Sequence, residues 1–264
     1  MSEVFETYVE VNGLPCRVWE KGEGRKLFYL PGVTGLPRWT PFLDKLAETR
    51  RVVAPSLPGY PGAEGHDLLD SHLDWIVAAL DLLAAAGADG GEPIDLVGAS
   101  IGGSFAAEIA AICPALVRRL VLIAPFGLYD ADAPPADIWA QRPGAAPAVL
   151  CRDSATFNAF TAPPDGADPG EWSIIMTRAA EATARVLWPL GDTRLIRRLH
   201  RIAADTLVVW GDEDKVLAPS YAEHFGHEIT ARAAVALIPG AGHLADLDSP
   251  ELAAQFVAGF VNQG

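Results

Sequence analysis

The sequence contains a serine with one glycine two residues before it and another two residues after it. This spacing is typical of a reactive serine. The chain reads Gly-Ala-Ser-Ile-Gly at 98–102, directly after an apolar run at 94–97 and before a helical stretch at 104–112. A sharp turn from a strand into a helix strains its central residue, and side chains at the flanking positions would clash there. The turn lifts the hydroxyl clear of the sheet, with the positive end of the helix directed toward it. The pattern therefore predicts that Ser100 is a nucleophile.

This serine needs a base, because a hydroxyl group is a weak nucleophile near neutral pH. Four histidines follow it in the sequence: His200, His224, His227 and His243. His243 ends a glycine-rich loop at 239–242 that follows a predicted strand, whereas the other three fall on helical patterns and are expected to face solvent. We therefore predict that His243 is the base.

An acid that orients the histidine is expected in the turn after the apolar run at 206–210. There the chain reads Gly-Asp-Glu-Asp-Lys at 211–215. Asp214 is the predicted acid, because the third residue after the glycine begins the loop that turns back toward the edge of the sheet. Asp212 is expected to hydrogen-bond the turn itself. Asp130, just beyond an earlier predicted strand, stays open as the alternative acid.

Two backbone N–H groups are expected to stabilise the negative charge that develops on the oxygen of an attacked carbonyl group. One belongs to Ile101, the residue after the nucleophile. The second is expected in the loop after the apolar run at 27–30, where the chain reads Pro-Gly-Val-Thr-Gly at 31–35. Val33, which follows Gly32, is the predicted second donor.

Eight short apolar runs predict the strands that would position these residues. From about residue 26 the runs alternate with longer helical patterns, which is typical of βαβ units and a mostly parallel sheet. Asn12-Gly13 lies between the first two runs and favours a tight antiparallel hairpin. The predicted strands are 8–11, 15–19, 27–30, 51–54, 94–97, 120–124, 206–210 and 234–238.

Two amphipathic patterns predict helices that pack on this sheet. The first runs over 72–83 and the second over 250–260. Apolar residues recur at helical spacing in the first pattern, and we expect them to form its buried face. These residues are Leu73, Ile76, Val77, Leu80 and Leu83.

Residues 131–200, which we call the inserted segment, interrupt the alternation of strands and helices. They are rich in proline and contain no convincing strand. An insertion at this place is expected to form a helical lid over the strand ends, where open α/β sheets bind ligands. The alternative is an insertion that packs on the core and has no role in binding. The lid prediction divides the chain into a first core part at 1–130, the lid at 131–200 and a second core part at 201–264.

Large aromatic residues of the inserted segment are predicted to form an apolar pocket for part of a substrate. These candidate substrate-binding residues are Trp139, Phe157, Phe160 and Trp172. Arginines of the same segment could pair with a substrate carboxylate, although most surface arginines simply face solvent. The arginines considered are Arg142, Arg152, Arg178 and Arg185.

The composition argues against several classes of protein. With 20 Lys and Arg against 34 Asp and Glu, the net charge of −14 argues against a nucleic acid or an anionic membrane surface as partner. The three cysteines are widely spaced and form no metal-binding pattern, so we expect reduced thiols, no metal and a cytoplasmic location. No apolar run is long enough to span a bilayer, and residues 1–6 lack the features of a signal peptide. The 264 residues fit one α/β domain with an insertion.

Together these motifs resemble those of the α/β-hydrolase superfamily over essentially the whole chain. The turn around Ser100, the acid turn at 211–214 and the Gly-His pair at 242–243 are similar to the family's catalytic triad in its usual order. The sequence Pro-Gly-Tyr-Pro-Gly at 58–62 resembles the family's loop after its fourth strand. The resemblance implies an α/β fold with a mostly parallel, eight-stranded α/β-hydrolase sheet, flanking helices and a helical lid insertion.

The predicted oxyanion loop departs from the family's usual pattern. Family members usually have His-Gly in this loop, whereas this chain has Pro31-Gly32. Proline removes an N–H group, and the imidazole that often braces the loop is missing as well.

The resemblance implies a serine hydrolase that cleaves a small or medium carboxylic ester or lactone through an acyl-enzyme on Ser100. No cofactor is implied, and the expected partner is a small-molecule substrate. A homodimer is a further possibility that the sequence leaves undecided. A serine nucleophile argues against the family's dehalogenases and epoxide hydrolases, which need a carboxylate. Its carbon–carbon bond hydrolases commonly carry Asn before the serine and Trp shortly after the histidine, where this chain has Ala99 and Leu-Ala-Asp at 244–246. A carbon–carbon bond hydrolase and a non-catalytic ligand-binding protein on the same fold are the alternatives.

Overall fold

One sheet of eight strands organises the residues that the structure describes. The structure is a computed structural model, and it describes residues 3–88, 91–142, 144–188 and 191–263. Residues 1 and 2 of the N-terminal segment and residues 143, 189 and 190 of the inserted segment therefore lie outside the described residues. Neighbouring strands follow the order β1-β2-β4-β3-β5-β6-β7-β8. The strands are Phe5–Val11 (β1), Leu14–Lys21 (β2), Lys26–Leu30 (β3), Arg51–Pro55 (β4), Ile94–Ala99 (β5), Val117–Ile123 (β6), Asp205–Gly211 (β7) and Ala233–Ile238 (β8).

The strand directions confirm the predicted mostly parallel sheet. β1 and β2 pair antiparallel through a hairpin, and β2 pairs antiparallel with β4. Every further pair, from β4 and β3 across to β7 and β8, is parallel. The hairpin turns at Asn12 and Gly13, whose φ angles of 53° and 76° are the left-handed backbone that this dipeptide favours.

The described residues contain nine α-helices, several of which cover the two faces of the sheet. α1 and α9 pack on one face, and α2 and α3 pack on the other. Between β6 and β7, the described residues of the inserted segment form α4, α5 and α6 and no strand. The helices are Pro41–Ala47 (α1), His72–Ala85 (α2), Ile101–Ile112 (α3), Ala146–Leu150 (α4), Ser154–Thr161 (α5), Pro169–Leu187 (α6), Ser220–Glu228 (α7), Ala245–Asp248 (α8) and Pro250–Val261 (α9).

The buried face of α2 agrees with the predicted one only in part. Ile76 and Leu83 are buried as predicted, and Leu80 is partly buried. Leu73 and Val77 are 60% and 45% exposed. Trp75 is buried instead, and its ring stacks on Phe105 of α3 with the ring centroids 6.2 Å apart. Trp75, Ala78, Ala79 and Leu82 are buried together with Ile76 and Leu83, so the observed face overlaps the predicted one and is rotated away from Leu73 and Val77. The large indole and the closely packed alanines account for this rotation.

The described residues contain neither a candidate membrane-spanning helix nor a candidate metal cluster. No helix within the described ranges is both long enough and apolar enough to cross a bilayer. The described part of the chain also contains no group of three or more His, Cys, Asp or Glu side chains arranged to hold a metal ion. The three cysteines are free thiols, and Cys16 and Cys151 are buried.

Candidate active site

Ser100, His243 and Asp214 form a hydrogen-bonded chain at the carboxyl edge of the sheet. Oγ of Ser100 lies 2.8 Å from Nε2 of His243, and Nδ1 of the same imidazole lies 2.9 Å from Oδ2 of Asp214. The three residues follow β5, β8 and β7, whose parallel directions bring these ends of the strands to one edge. The structure thus brings together the three residues that the sequence predicted as nucleophile, base and acid.

The backbone at Ser100 has the strained form expected for a sharp strand-to-helix turn. Its φ of 53° and ψ of −117° are rare for a residue with a side chain. Its N–H donates to the carbonyl oxygen of Ile123 at 2.7 Å, which ties the turn to β6. A Cβ atom on Gly98 would overlap the carbonyl group of Gly102, and a Cβ atom on Gly102 would overlap that of Leu30. Both glycines are therefore required for the close approach of α3 to β5 and to the end of β3.

Asp214 is held by two backbone amides as well as by the imidazole. Its Oδ1 accepts hydrogen bonds from the N–H groups of Val216 and Leu217 at 2.8 and 3.0 Å. An ionised carboxylate only accepts hydrogen bonds, so Nδ1 of His243 carries a proton toward Oδ2. Nε2 is then the acceptor for the hydroxyl proton of Ser100. This tautomer is the one that general-base catalysis requires.

The site is shielded from solvent. Ser100 is 0% exposed and His243 is 1% exposed. Phe126, which follows β6, packs edge-on against the imidazole, with the ring centroids 5.3 Å apart and the planes at 65°. Charges interact more strongly in such surroundings than in water. An imidazolium formed at His243 would therefore be stabilised strongly by the adjacent carboxylate.

The other acids and histidines considered from the sequence have different surroundings. Oδ1 of Asp212 accepts a hydrogen bond from the N–H of Gly240 at 2.6 Å, as expected for a residue that stabilises the turn. Oδ1 of Asp130 accepts from the N–H of Asp132 at 2.9 Å. The remaining histidines that follow the serine are exposed, namely His200, His224 and His227. Asp214 is thus the acid that the structure joins to the imidazole.

Two backbone N–H groups lie next to the serine. Ile101 is the first residue of α3, so its N–H has no partner inside the helix. The loop after β3 passes close by, since a Cβ atom on Gly32 would lie 3.2 Å from Cβ of Ser100. Within the described residues, neither the N–H of Val33 nor that of Ile101 has a hydrogen-bond acceptor. Neither of the two amides predicted as oxyanion donors is therefore occupied by an acceptor of the described residues, and their role stays a prediction.

Asp246 is a buried carboxyl group near the imidazole that the sequence analysis did not identify. Its Oδ2 accepts a hydrogen bond from the hydroxyl of Tyr29 at 2.7 Å, and its Oδ1 has no partner in the described part of the chain. Burial raises the pKa of Asp246 above its ordinary value. Burial and the neighbouring carboxyl group also raise the pKa of Tyr29. A tyrosine within an apolar strand was the available sequence signal, but it did not indicate a partner.

Phe160 is the predicted substrate-binding residue that lies beside the site. It is buried on α5 and lines a small cavity together with Gly32 of the oxyanion loop and Leu244, the residue after the histidine. Asp246 and Tyr29 line the same cavity. Through α5 the inserted segment therefore contacts neighbours of the oxyanion loop and of His243, and a role of Phe160 in substrate binding stays a prediction.

The other three aromatic candidates make contacts that stabilise the inserted segment. The indole N–H of Trp172 donates to the carbonyl oxygen of Thr161 at 2.8 Å, which joins α6 to the end of α5. Trp139 packs edge-on against Trp188, with the ring centroids 6.3 Å apart. Phe157 is half-buried against the main core. Their contact with a substrate stays a prediction.

Among the described residues, three of the four arginines considered as partners of a substrate carboxylate make no hydrogen bond or ion pair with the loops of the triad, whereas Arg152 lies against the loop before His243. A Cβ atom on Gly240 of that loop would lie 2.8 Å from Nη1 of Arg152. Nη1 of Arg178 is 2.7 Å from Glu64, and Nε of Arg185 is 3.2 Å from Glu181. Both of these glutamates are mainly exposed. The other two arginines are exposed, namely Arg142 and Arg152. Two of the four cations are thus paired with glutamates, and the other two face solvent.

Comparisons with known proteins agree with this geometry. The profile of the alpha/beta hydrolase family matches residues 27–256. A 2-hydroxymuconate semialdehyde hydrolase of Pseudomonas sp. (strain CF600) is 26% identical over 94% of this chain and 91% of that protein. A monoacylglycerol lipase of Homo sapiens is 24% identical over 84% of this chain and 71% of that protein. A solved serine hydrolase involved in carbazole degradation has a TM-score of 0.72 and 25% identity, covering 98% of this chain and 99% of that one.

Proposed function

Because this chain belongs to the alpha/beta hydrolase family, we propose that it cleaves a small or medium carboxylic ester or lactone through an acyl-enzyme on Ser100. The observation that carries the proposal is the buried hydrogen-bonded chain of Ser100, His243 and Asp214. The two N–H groups without an acceptor beside the serine add the second requirement of acyl transfer, a site for the oxyanion.

The proposed reaction begins with attack of Ser100 Oγ on the substrate carbonyl carbon. The hydroxyl proton passes to Nε2 of His243, and Asp214 stabilises the imidazolium. The carbonyl oxygen becomes an oxyanion, which accepts hydrogen bonds from the N–H groups of Val33 and Ile101. Each such donor contributes about 3 kcal/mol of transition-state stabilisation in comparable sites.

Collapse of this tetrahedral intermediate breaks the bond to the alcohol oxygen. The leaving alcohol takes the proton from Nε2 of His243, and the acyl group stays on Ser100 as an ester. A water molecule then attacks the acyl carbon while the same Nε2 takes its proton. The second intermediate collapses to release the carboxylic acid, and the proton returns to Oγ of Ser100.

The surroundings of the triad support an uncharged substrate. Phe126 packs on the imidazole, and Phe160 of the inserted segment lines a small cavity beside Gly32 and Leu244. The arginines considered in this segment are paired with glutamates at the surface or exposed. The aromatic ring packed against the imidazole suits the acyl chain of a neutral ester or lactone better than a substrate carboxylate.

A carbon–carbon bond hydrolase is the second candidate, and the comparisons favour it. The 2-hydroxymuconate semialdehyde hydrolase aligns over nearly the whole chain. A compound of that name carries a carboxylate and no ester group, so its hydrolysis breaks a carbon–carbon bond. That substrate would need a cationic partner for its carboxylate, and the exposed or paired arginines of the inserted segment argue against it here.

The two candidates are separated by substrate class. We expect the wild type to hydrolyse p-nitrophenyl esters of increasing acyl length, with an optimum at short or medium chains, and to leave a dienoate substrate of the muconate type unchanged. Release of p-nitrophenol and loss of the dienoate chromophore measure the two activities. Turnover of the dienoate without turnover of any ester or lactone would overturn the ester proposal and favour the second candidate. A folded wild type that turns over neither class would favour a ligand-binding protein.

A further inference from the structure

The predicted oxyanion loop is held by a hydrogen-bond chain that starts outside it. Thr183 lies on α6, and its hydroxyl donates to the carbonyl oxygen of Val33 at 2.7 Å. The hydroxyl oxygen of Tyr60 lies 2.9 Å from Oγ1 of Thr183. A carbonyl group only accepts hydrogen bonds, so the single proton of the threonine is used there, and the tyrosine must donate to the threonine. The chain therefore runs in one direction, from Tyr60 through Thr183 to Val33.

Burial makes this chain a strong restraint. Thr183 and Tyr60 are each 1% exposed, and Val33 is 4% exposed. Water has little access to compete for these polar groups, and an unmade hydrogen bond at a buried carbonyl is costly. The carbonyl group and the N–H of Val33 share one Cα atom. A bond that fixes the carbonyl therefore limits the positions open to the N–H.

Tyr60 supports the same loop from its other side. The N–H of Gly35 donates to the carbonyl oxygen of Gly32 at 2.9 Å and closes a turn around Val33. Gly35 has a φ of 66°, and a Cβ atom there would lie 2.7 Å from Cβ of Tyr60. The tyrosine thus packs directly on the turn while its hydroxyl reaches Thr183.

The sequence of the loop itself explains why an outside support is needed. Pro31 has no N–H to donate and no side chain that could hydrogen-bond the loop. Gly32 has no side chain, and a Cβ atom there would lie only 3.2 Å from Cβ of Ser100. The two residues before Val33 therefore offer no side-chain polar group to hold the loop.

We propose that Thr183, supported by Tyr60, is a positioning residue that holds the N–H of Val33 in place to stabilise the oxyanion. The proposal rests on the proposed function, because it assigns a role in the same acyl transfer. It also gives the inserted segment a part in catalysis. α6 is docked beside the loop after β4, where a Cβ atom on Gly59 would lie 2.8 Å from Cβ of Ala182.

The test compares Thr183→Val, which removes the hydroxyl at nearly constant shape, with Thr183→Ser, which keeps it. On a p-nitrophenyl ester, we expect Thr183→Val to lower kcat by about 10- to 100-fold and to leave KM within about twofold. We expect Thr183→Ser to recover most of the wild-type kcat. Thr177→Val is the matched control, because Thr177 lies on the same helix and its hydroxyl donates only to Ser173 of that helix, at 2.8 Å.

A trifluoromethyl ketone gives a second readout. Addition of Ser100 Oγ to its carbonyl carbon moves the hydroxyl proton to His243 and leaves an oxyanion in the hole. Its Kd should rise in Thr183→Val by about the factor by which kcat falls, because the inhibitor carries the oxyanion that the substrate lacks in its ground state. This measurement needs no hydrolysable ester, so it tests the positioning role even if the wild type turns over none of the esters offered.

The outcomes separate the two proposals. An active wild type with unchanged kcat and unchanged inhibitor Kd in Thr183→Val would overturn the positioning role and leave the proposed function intact. Equal losses in Thr183→Val and Thr183→Ser, with raised KM, would also overturn it, since they would indicate a role in packing alone. If Thr183→Val does not fold, Tyr60→Phe is measured by the same criteria. A lower kcat at constant KM is expected there, and unchanged values would contradict the role.

Discussion

Replacing Ser100 by alanine is expected to lower kcat by about 10⁴- to 10⁶-fold on an ester that the wild type hydrolyses. The substitution removes the oxygen atom that forms the acyl-enzyme, whereas the oxyanion donors and the imidazole stay in place. Only the slow attack of water on the bound ester would continue. The fold should be kept, because the Cβ atom and the strained turn are unchanged, and the removed hydroxyl bonds only to His243 within the described residues. Initial rates together with thermal melting measure both effects.

Ser104 provides the control for this variant. It lies one turn later on α3, it is fully buried, and its hydroxyl has no hydrogen-bond partner in the described residues. We expect Ser104→Ala to keep kcat within about threefold of the wild type, because it removes a buried hydroxyl of the same helix that takes no part in the proposed reaction. A Ser100→Ala protein with near-wild-type turnover would contradict the nucleophile assignment. So would a loss in Ser104→Ala as large as that in Ser100→Ala.

Replacing Asp214 by asparagine is expected to lower kcat by about 10⁴-fold. The oxygen of the asparagine amide can still accept hydrogen bonds from the N–H groups of Val216 and Leu217. In that orientation the NH₂ group of the amide faces Nδ1 of His243. That nitrogen would then accept instead of donate, and the proton of the neutral imidazole would move to Nε2. Such an imidazole cannot take the proton of the serine. Steady-state kinetics on the same ester measure the loss.

Asp130→Asn is the matched control, because it applies the same change to the alternative acid. Its carboxylate bonds to the N–H of Asp132, so we expect kcat within about twofold of the wild type. A large loss in Asp130→Asn with little loss in Asp214→Asn would exchange the two assignments. Equal and small effects of both variants would contradict an acid-oriented histidine altogether.

The triad was predictable because its members carry local signals. The two glycines around Ser100 are required by the contacts of the turn, so the constraint is visible in five consecutive residues. Asp214 and His243 follow strands, and parallel strands bring their carboxyl ends to one edge of a sheet. A correct strand assignment was therefore sufficient to place the three side chains together. The hairpin at Asn12 and Gly13 was predictable for the same reason, because the dipeptide itself favours the backbone of the turn.

The buried face of α2 was predictable from periodicity only in part. Ile76 and Leu83 are buried as predicted, whereas Leu73 and Val77 are largely exposed and Trp75 is buried instead. This difference depends on Phe105 of α3, against which the indole stacks, and that contact has no signal in the sequence of α2.

The hydrogen bonds that support the oxyanion loop were also not predictable from the sequence. Thr183 is 150 residues from Val33 and 123 residues from Tyr60 along the chain. Its acceptor is a backbone carbonyl group, which every residue possesses, so no residue type indicates the pairing. A threonine on an amphipathic helix looks like any partly polar surface position until the helix is docked. Asp246 and Tyr29 are separated by 217 residues and were missed for the same reason.

The most direct test of the proposed triad is the site at which a fluorophosphonate modifies the protein. Its phosphorus forms a bond with an activated serine oxygen and fluoride leaves, so the reagent reports the nucleophile whichever ester or lactone is the substrate. Digestion and mass spectrometry of the treated protein identify the modified peptide. We expect modification of the wild type at Ser100, none in Ser100→Ala and slow modification in Asp214→Asn. A folded wild type that stays unmodified, or that is modified at another serine such as Ser104, would contradict the assignment.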